Sequence, residues 1–303
     1  MIVVTGSSGF IGRAVVSRLI GQGEHVVGMD LRSAGDAIDA SSGLFTEEIV
    51  DTKDDHALDE LLARHRPDTI VALAETLQSD VGSLVSGGVA GVTKVMECAR
   101  RRGVRRVCLA SSVTVYLGLD GPFREDMPLP IKSPLSISAI KKAEEIAARW
   151  FSAQLGLEVV VMRLSNIYGP QYTSMRNAPS RYLFERLGRD IGDAPTMMSG
   201  DIYDRMADFC HVEDCANGIA LIATADRLAH DTYNIGGGES VDDEAVRWAA
   251  DAAMGANTPR PSARPNANYM DIARAAEDLG YRPVHDIATG MKAYREWLAH
   301  NPY

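Results

Sequence analysis

The eight residues Thr5-Gly6-Ser7-Ser8-Gly9-Phe10-Ile11-Gly12 constrain this chain more than any other feature. Their glycines recur at every third position, between an apolar run that reads as a buried strand, Ile2–Thr5, and an amphipathic helix over 10–20. Gly6 permits a tight turn, Gly9 lets a pyrophosphate approach the backbone, and Gly12 allows close helix–strand packing. The helix opening offers unpaired N–H groups and a partial positive charge to phosphates. Gly6, Ser8, Gly9, Phe10, Ile11 and Gly12 are therefore the expected dinucleotide contacts. Asp30 ends the second strand, where a carboxylate accepts ribose hydroxyls and repels a 2′-phosphate. That favours NAD over NADP, with Arg32 as the opposing signal.

Strand-like runs at 2–5, 25–30, 47–50, 69–74, 106–110, 159–163 and 230–235 alternate with helical patterns. The helices are expected at 10–20, 54–64, 83–102, 138–155 and 212–225, and two more, at 271–279 and 287–299, close the chain. This alternation predicts an α/β doubly wound parallel sheet of Rossmann type with a smaller C-terminal substrate lobe. Residues 1–165, rejoined by 209–236, form the expected nucleotide domain. Residues 166–208 and 237–303 form the expected substrate lobe, with 170–208 read as irregular and 255–267 as a loop.

At 303 residues the chain can bury a large core without disulfides or metal. Its net charge of −10 argues against non-specific nucleic-acid binding and against an anionic membrane surface. Cys98, Cys108, Cys210 and Cys215 include no CxxC pair and read as buried free thiols, so no metal is assigned. No basic leader precedes the first strand and no apolar run is long enough to span a membrane, which places the chain in the cytoplasm.

Further motifs follow in order: Asp51-Thr52, Leu73-Ala74, the helix from Gly91 to Arg100, Ser111-Ser112-Val113-Thr114-Val115-Tyr116, and Arg163-Leu164-Ser165-Asn166-Ile167-Tyr168-Gly169-Pro170. Asp208-Phe209-Cys210-His211-Val212-Glu213-Asp214, Tyr233-Asn234-Ile235-Gly236 and Leu279-Gly280-Tyr281-Arg282-Pro283 complete the set. Across its whole length the chain resembles the extended short-chain dehydrogenase/reductase family, in particular its NAD-dependent nucleotide-sugar epimerases and dehydratases. The resemblance implies NAD contacts at Asp51, Thr52, Leu73, Ala74 and Lys141. It also implies Ser112 and Lys141 at the reacting end, substrate contacts at Ser112, Asn166 and Arg205, and a homodimer paired through the helices at 83–102 and 138–155.

The resemblance fails at one position that matters. In the family a tyrosine sits four residues before the lysine and exchanges a proton, its phenol acidified by the ammonium. Here Ile137 stands before Lys141, and the shifted register pairs Ser138 with Lys142. Gly88 replaces a usual asparagine, Ala207 a usual arginine, and Ala72 and Glu75 flank Leu73-Ala74 where His and Ala are common. Tyr116, Tyr168, Glu75 and Thr114 remain as alternative proton donors, and His211 reads as structural. Two functions follow: an epimerase or dehydratase acting on a nucleotide sugar or related polyol with an atypical acid/base, or an NAD-binding protein that catalyses a non-redox step or none.

Overall fold

Strands that are apolar on both faces need covering layers on both sides, and parallel strands joined by helical crossovers supply them. The computed structural model describes residues 1–35, 38, 41–75, 88–171, 178–188, 207–262 and 268–301. Its strands are β1 (Ile2–Thr5), β2 (Val26–Asp30), β3 (Phe45–Ile49), β4 (Thr69–Ala72), β5 (Arg106–Ser112), β6 (Glu158–Leu164), β7 (Asn166–Tyr168), β8 (Phe209–His211) and β9 (Thr232–Ile235). Seven of them form one parallel sheet in the order β3-β2-β1-β4-β5-β6-β9. The chain moves outward from β1 to β3, then crosses back to lay β4 on the other side of β1. That reversal opens a crevice at the carboxyl ends of β1 and β4, where such sheets bind ligands.

The described helices are α1 (Phe10–Gly21), α2 (Asp55–His65), α3 (Ala90–Arg102), α4 (Ser136–Leu155), α5 (Ala178–Arg186), α6 (Val212–Thr224), α7 (Asp243–Ala253), α8 (Ala273–Leu279) and α9 (Ile287–His300). On one face of the sheet, Val15, Val16 and Leu19 of α1 pack with Ile219, Ala220 and Ala223 of α6. On the other, Leu58, Leu61 and Leu62 of α2, Val95 and Met96 of α3, and Phe151 of α4 form a second core. All four cysteines are buried and free, as expected. No described helix is long and apolar enough to cross a membrane.

A third core lies beside the sheet and was not anticipated. It joins Tyr182 and Leu183 of α5, Val246, Ala249 and Ala250 of α7, and Met291 and Tyr294 of α9. Residues 178–186, read as irregular, are helical because tertiary packing buries one side of a polar segment. Helix α7 was unforeseen, although Asp242 caps it by accepting a hydrogen bond from Ala245 N, with Asp243 and Glu244 in its first turn. Its buried positions Val246, Ala249 and Ala250 are spaced at i, i+3 and i+4, so the helical period was present in the sequence. Strand β4 stops at Ala72, two residues short of expectation, so Leu73-Ala74 leaves the sheet and turns over the crevice. Helix α3 begins at Ala90; residues 83–87 of the longer expected helix lie outside the described residues.

Candidate active site

The turn after β1 has the shape its glycines require. Gly6 is left-handed (φ +71°), and a Cβ there would lie 2.9 Å from Ala74 N. A Cβ on Gly12 would stand 2.0 Å from the Gly6 carbonyl oxygen, and one on Gly9 3.1 Å from the same atom. Thr5 Oγ1 accepts hydrogen bonds from Leu73 N (3.2 Å) and Ala74 N (3.1 Å), pinning the end of β4 over the turn. Helix α1 starts at Phe10 after the N-cap Gly9, with no side-chain cap and no acid in its first turn. The N–H groups of Ile11 and Gly12 have no carbonyl four residues back within the helix, so this cradle suits a pyrophosphate.

Asp30 borders the turn. Its Oδ2 accepts from Ser8 N (3.0 Å), and its Oδ1 from Leu31 N (2.7 Å) and Arg32 N (3.3 Å), while Ser8 Oγ donates to Arg32 O (2.7 Å). The carboxylate is thus held at the carboxyl end of β2 with acceptor capacity left on Oδ2. Asp51 shapes the next strand end by accepting from Lys53 N (2.9 Å), and Thr52 faces Gly91 of α3. Phe10 and Ile11 are half-buried and pack on the first core. The turn, Asp30, Leu73 and Ala74 therefore meet around one crevice.

Beyond Ala74 the rim is built from side chains. The Lys141 ammonium on α4 is buried between two carboxylates, Glu75 Oε1 at 3.4 Å and Glu144 Oε2 at 3.0 Å. Burial works against this ammonium, but the two acids outweigh it and hold its pKa above the ordinary lysine value. Burial likewise raises the Glu144 carboxyl against the pull of Lys141. Glu144 occupies space that Gly88 leaves open: a Cβ on Gly88 would stand 3.2 Å from Glu144 Oε1 and 2.7 Å from Ile140 Cγ2. Lys142 is spent elsewhere, donating to Pro130 O (2.5 Å), Lys132 O (3.3 Å) and Ser133 Oγ (3.2 Å). The shifted register is thereby ruled out, and Lys141 is the lysine of the rim. On neighbouring β5, Ser112 Oγ accepts from Thr114 N (3.2 Å) and Thr114 Oγ1 (3.1 Å), which leaves its own O–H to donate outward.

The two tyrosines proposed as substitutes are both committed. Tyr116 Oη receives a hydrogen bond from Arg163 Nη1 (2.7 Å) and donates to Asn234 Oδ1 (2.8 Å). Burial pushes its pKa up to about 12. Arg163 is held by Glu145 through Nε (3.0 Å) and Nη2 (2.8 Å), and Ser111 Oγ donates to Glu145 as well (2.6 Å). Tyr168 is buried against His211 with its pKa well raised by burial, and its hydroxyl lies 2.0 Å from a Cβ built on Gly290. Thr114 is bound to Ser112. This buried network was not legible in the sequence, because its members lie on four separate segments.

Asn166 opens β7 and donates through both N (3.3 Å) and Nδ2 (3.0 Å) to the Asp208 carbonyl, so its side chain helps hold the two-stranded sheet. Arg205 lies outside the described residues. Asp208, which the sequence marked as the start of a motif without a role, is buried and accepts from Gly237 N (2.8 Å), Gly238 N (3.1 Å) and Met270 N (3.1 Å). Burial raises its carboxyl to about 6. His211 caps α6 through Nδ1, and burial lowers it to about 3, which keeps it neutral. Its ring lies tilted on that of His285, with centroids 4.1 Å apart, but its Nε2 is buried with no hydrogen-bond partner among the described residues, so the expectation of a satisfied structural histidine is met only at Nδ1.

A family model described as the NAD dependent epimerase/dehydratase family matches residues 2–236. A UDP-glucuronate 4-epimerase of Thermodesulfobacterium geofontis is 26% identical, over 99% of this chain and 96% of that protein. A dTDP-glucose 4,6-dehydratase of an Actinoplanes species is 29% identical, over 99% and 98% respectively. Among solved structures, MoeE5 in complex with UDP-glucuronic acid and NAD superposes with a TM-score of 0.81 at 26% identity, covering 99% of both chains. The UDP-glucose 4-epimerase of Thermus thermophilus in complex with NAD gives a TM-score of 0.78 at 21% identity, covering 98% of both, a likeness of fold alone.

Proposed function

The chain belongs to the NAD-dependent epimerase/dehydratase family of enzymes, and from that premise we propose that it binds NAD in the crevice at β1 and β4 and rearranges a nucleotide sugar or related polyol beside it. The observation that carries this reading is the closed glycine cradle of 5–12 under Leu73-Ala74, followed directly by a rim that ends in a buried Lys141. NAD bound there supplies reversible two-electron oxidation of a carbinol. The residues Gly6 to Gly12 would hold its pyrophosphate, Asp30 an adenosine ribose, Asp51 and Thr52 the neighbouring strand end, and Lys141 the second ribose. Ser112, with its proton free to donate, would bind a substrate hydroxyl or carbonyl.

The relatives named as UDP-sugar epimerases and dTDP-glucose dehydratases support a nucleoside-diphosphate sugar as substrate. Residues 1–165 with 209–236 would serve the cofactor, and 166–208 with 237–303 the sugar, with Asn166 and Arg205 on that side. Exposed Ile146 and Trp150, one turn apart on α4, support a homodimer paired through α3 and α4. A cytoplasmic location accords with this chemistry.

Calorimetry with NAD and NADP, followed by mass spectrometry of UDP-glucose, UDP-glucuronate and dTDP-glucose incubated with the NAD-loaded protein, tests the reading. Tighter binding of NAD and conversion of one sugar are expected. NAD binding without conversion of any of them would favour the second reading, a binding protein of the same fold, which Ile137 and the two committed phenols motivate. Lack of affinity for either cofactor would remove both.

A further inference from the structure

We propose that Glu75 is the acid/base of this site, taking the place of the phenol that Ile137 lacks; the inference rests on the function proposed above. Among the candidates, Tyr116 and Tyr168 are buried in contacts that leave no free edge, and Thr114 is bound to Ser112. Glu75 differs from them in three ways. It follows Leu73-Ala74, the pair fastened over the nucleotide turn, so its backbone is fixed beside the cofactor crevice. Its carboxylate touches Lys141 at 3.4 Å yet remains 28% exposed, so one oxygen is engaged while the group still reaches the cleft. Ser112 ends β5, the strand that neighbours β4 in the sheet, so both residues belong to the carboxyl end of this pair of strands.

Lys141 stands between two carboxylates, Glu75 and Glu144, and one of them alone suffices to pair with its charge. Glu144 is almost fully buried and cannot reach a ligand, so it acts as a positioning residue that balances Lys141. The next acid on α4, Glu145, is taken by Arg163 and Ser111. Glu75 is the one member of the trio open to a substrate.

The step balances as follows. Glu75 would take the proton as the carbinol O–H breaks, NAD held in the crevice would supply the two-electron oxidation at the adjoining C–H, and Ser112 would hold the carbonyl that results. In the return direction, as the carbonyl is reduced, Glu75 would give its proton back to oxygen. An epimerase needs nothing more than a change of face between the two directions.

Two measurements test the role of Glu75, one of them independent of turnover. The nicotinamide ring loses its positive charge from NAD to NADH, so a carboxylate beside it gains proton affinity. Infrared difference spectra of NADH-loaded minus NAD-loaded protein, across about pH 5–8, should show a protonated carboxyl band in the wild type that is lost in E75Q. Absence of the band in the wild type, or its persistence in E75Q, would overturn the assignment. In turnover, E75Q should lower kcat by about 10²–10⁴-fold with NAD affinity within about threefold, and E75D should recover part of the loss. Retention of kcat within tenfold in E75Q would refute Glu75 while leaving the family-level function intact. A wild type that shows the band but converts none of the three sugars would instead count against the proposed function.

Discussion

The turn after β1 and the rim beyond β4 are joined by two hydrogen bonds to Thr5, yet they are made of different material. The turn is backbone: its ligand-facing groups are amides, and its glycines matter for the side chains they lack. The rim is side chain: an ammonium, two carboxylates and a hydroxyl brought from the segment after β4, from α4 and from β5. A site of backbone fails when an atom is added, because a carbonyl cannot step aside. A site of side chains fails when a group is removed, because its buried partner is left with an uncompensated charge. The rim can therefore exchange its chemical groups while the turn stays fixed, which explains how the family tyrosine could be lost without loss of the cradle.

The sharpest way to break this contrast is to remove a charge near the rim. E145Q strips Arg163 of its bidentate partner in a buried setting and should cost about 3–5 kcal/mol in urea unfolding; a cost below about 1 kcal/mol would show that the network is dispensable. Asp208 gives a pH-dependent version. Its carboxyl is raised to about 6 in the fold, above its ordinary 3.8, so the native state holds that proton more tightly. The associated stabilisation is complete below the unfolded value and is lost as pH rises through about 6, amounting to about 3 kcal/mol. Chemical denaturation of wild type and D208N between about pH 4 and 7 should show that slope only in the wild type.

Additions to the turn come next in size. G12A drives a Cβ toward the Gly6 oxygen and should cost about 1–3 kcal/mol, with a larger loss of NAD affinity, measured by thermal unfolding and calorimetry together. The mildest change deletes a side chain from the turn region. D30A should weaken NAD by about tenfold, about 1.4 kcal/mol, and narrow its preference over NADP. Unchanged affinity for both cofactors would mean that backbone alone defines this site.

Local order was open to sequence reading wherever a short segment carries its own instruction. Glycines at 6, 9 and 12 dictate the turn because the left-handed form of Gly6 and the clearance at Gly9 and Gly12 are local, while the clearance at Gly6 also depends on the distant Ala74; apolar strands alternating with helices dictate a parallel sheet because both faces must be covered. The rim lacked such instruction. The reason Gly88 is tolerated lies on α4 in Glu144 and Ile140; the reason Tyr116 cannot serve as an acid lies in Arg163 and Asn234. Helix α5 shows the same limit, since its weak local pattern is settled by packing against α7 and α9. Backbone form is a short-range property, and this chain wrote it into consecutive residues. Side-chain charge is settled by what folding brings within a few ångströms from distant segments, and only the tertiary structure decided that Lys141 meets Glu75 and Glu144.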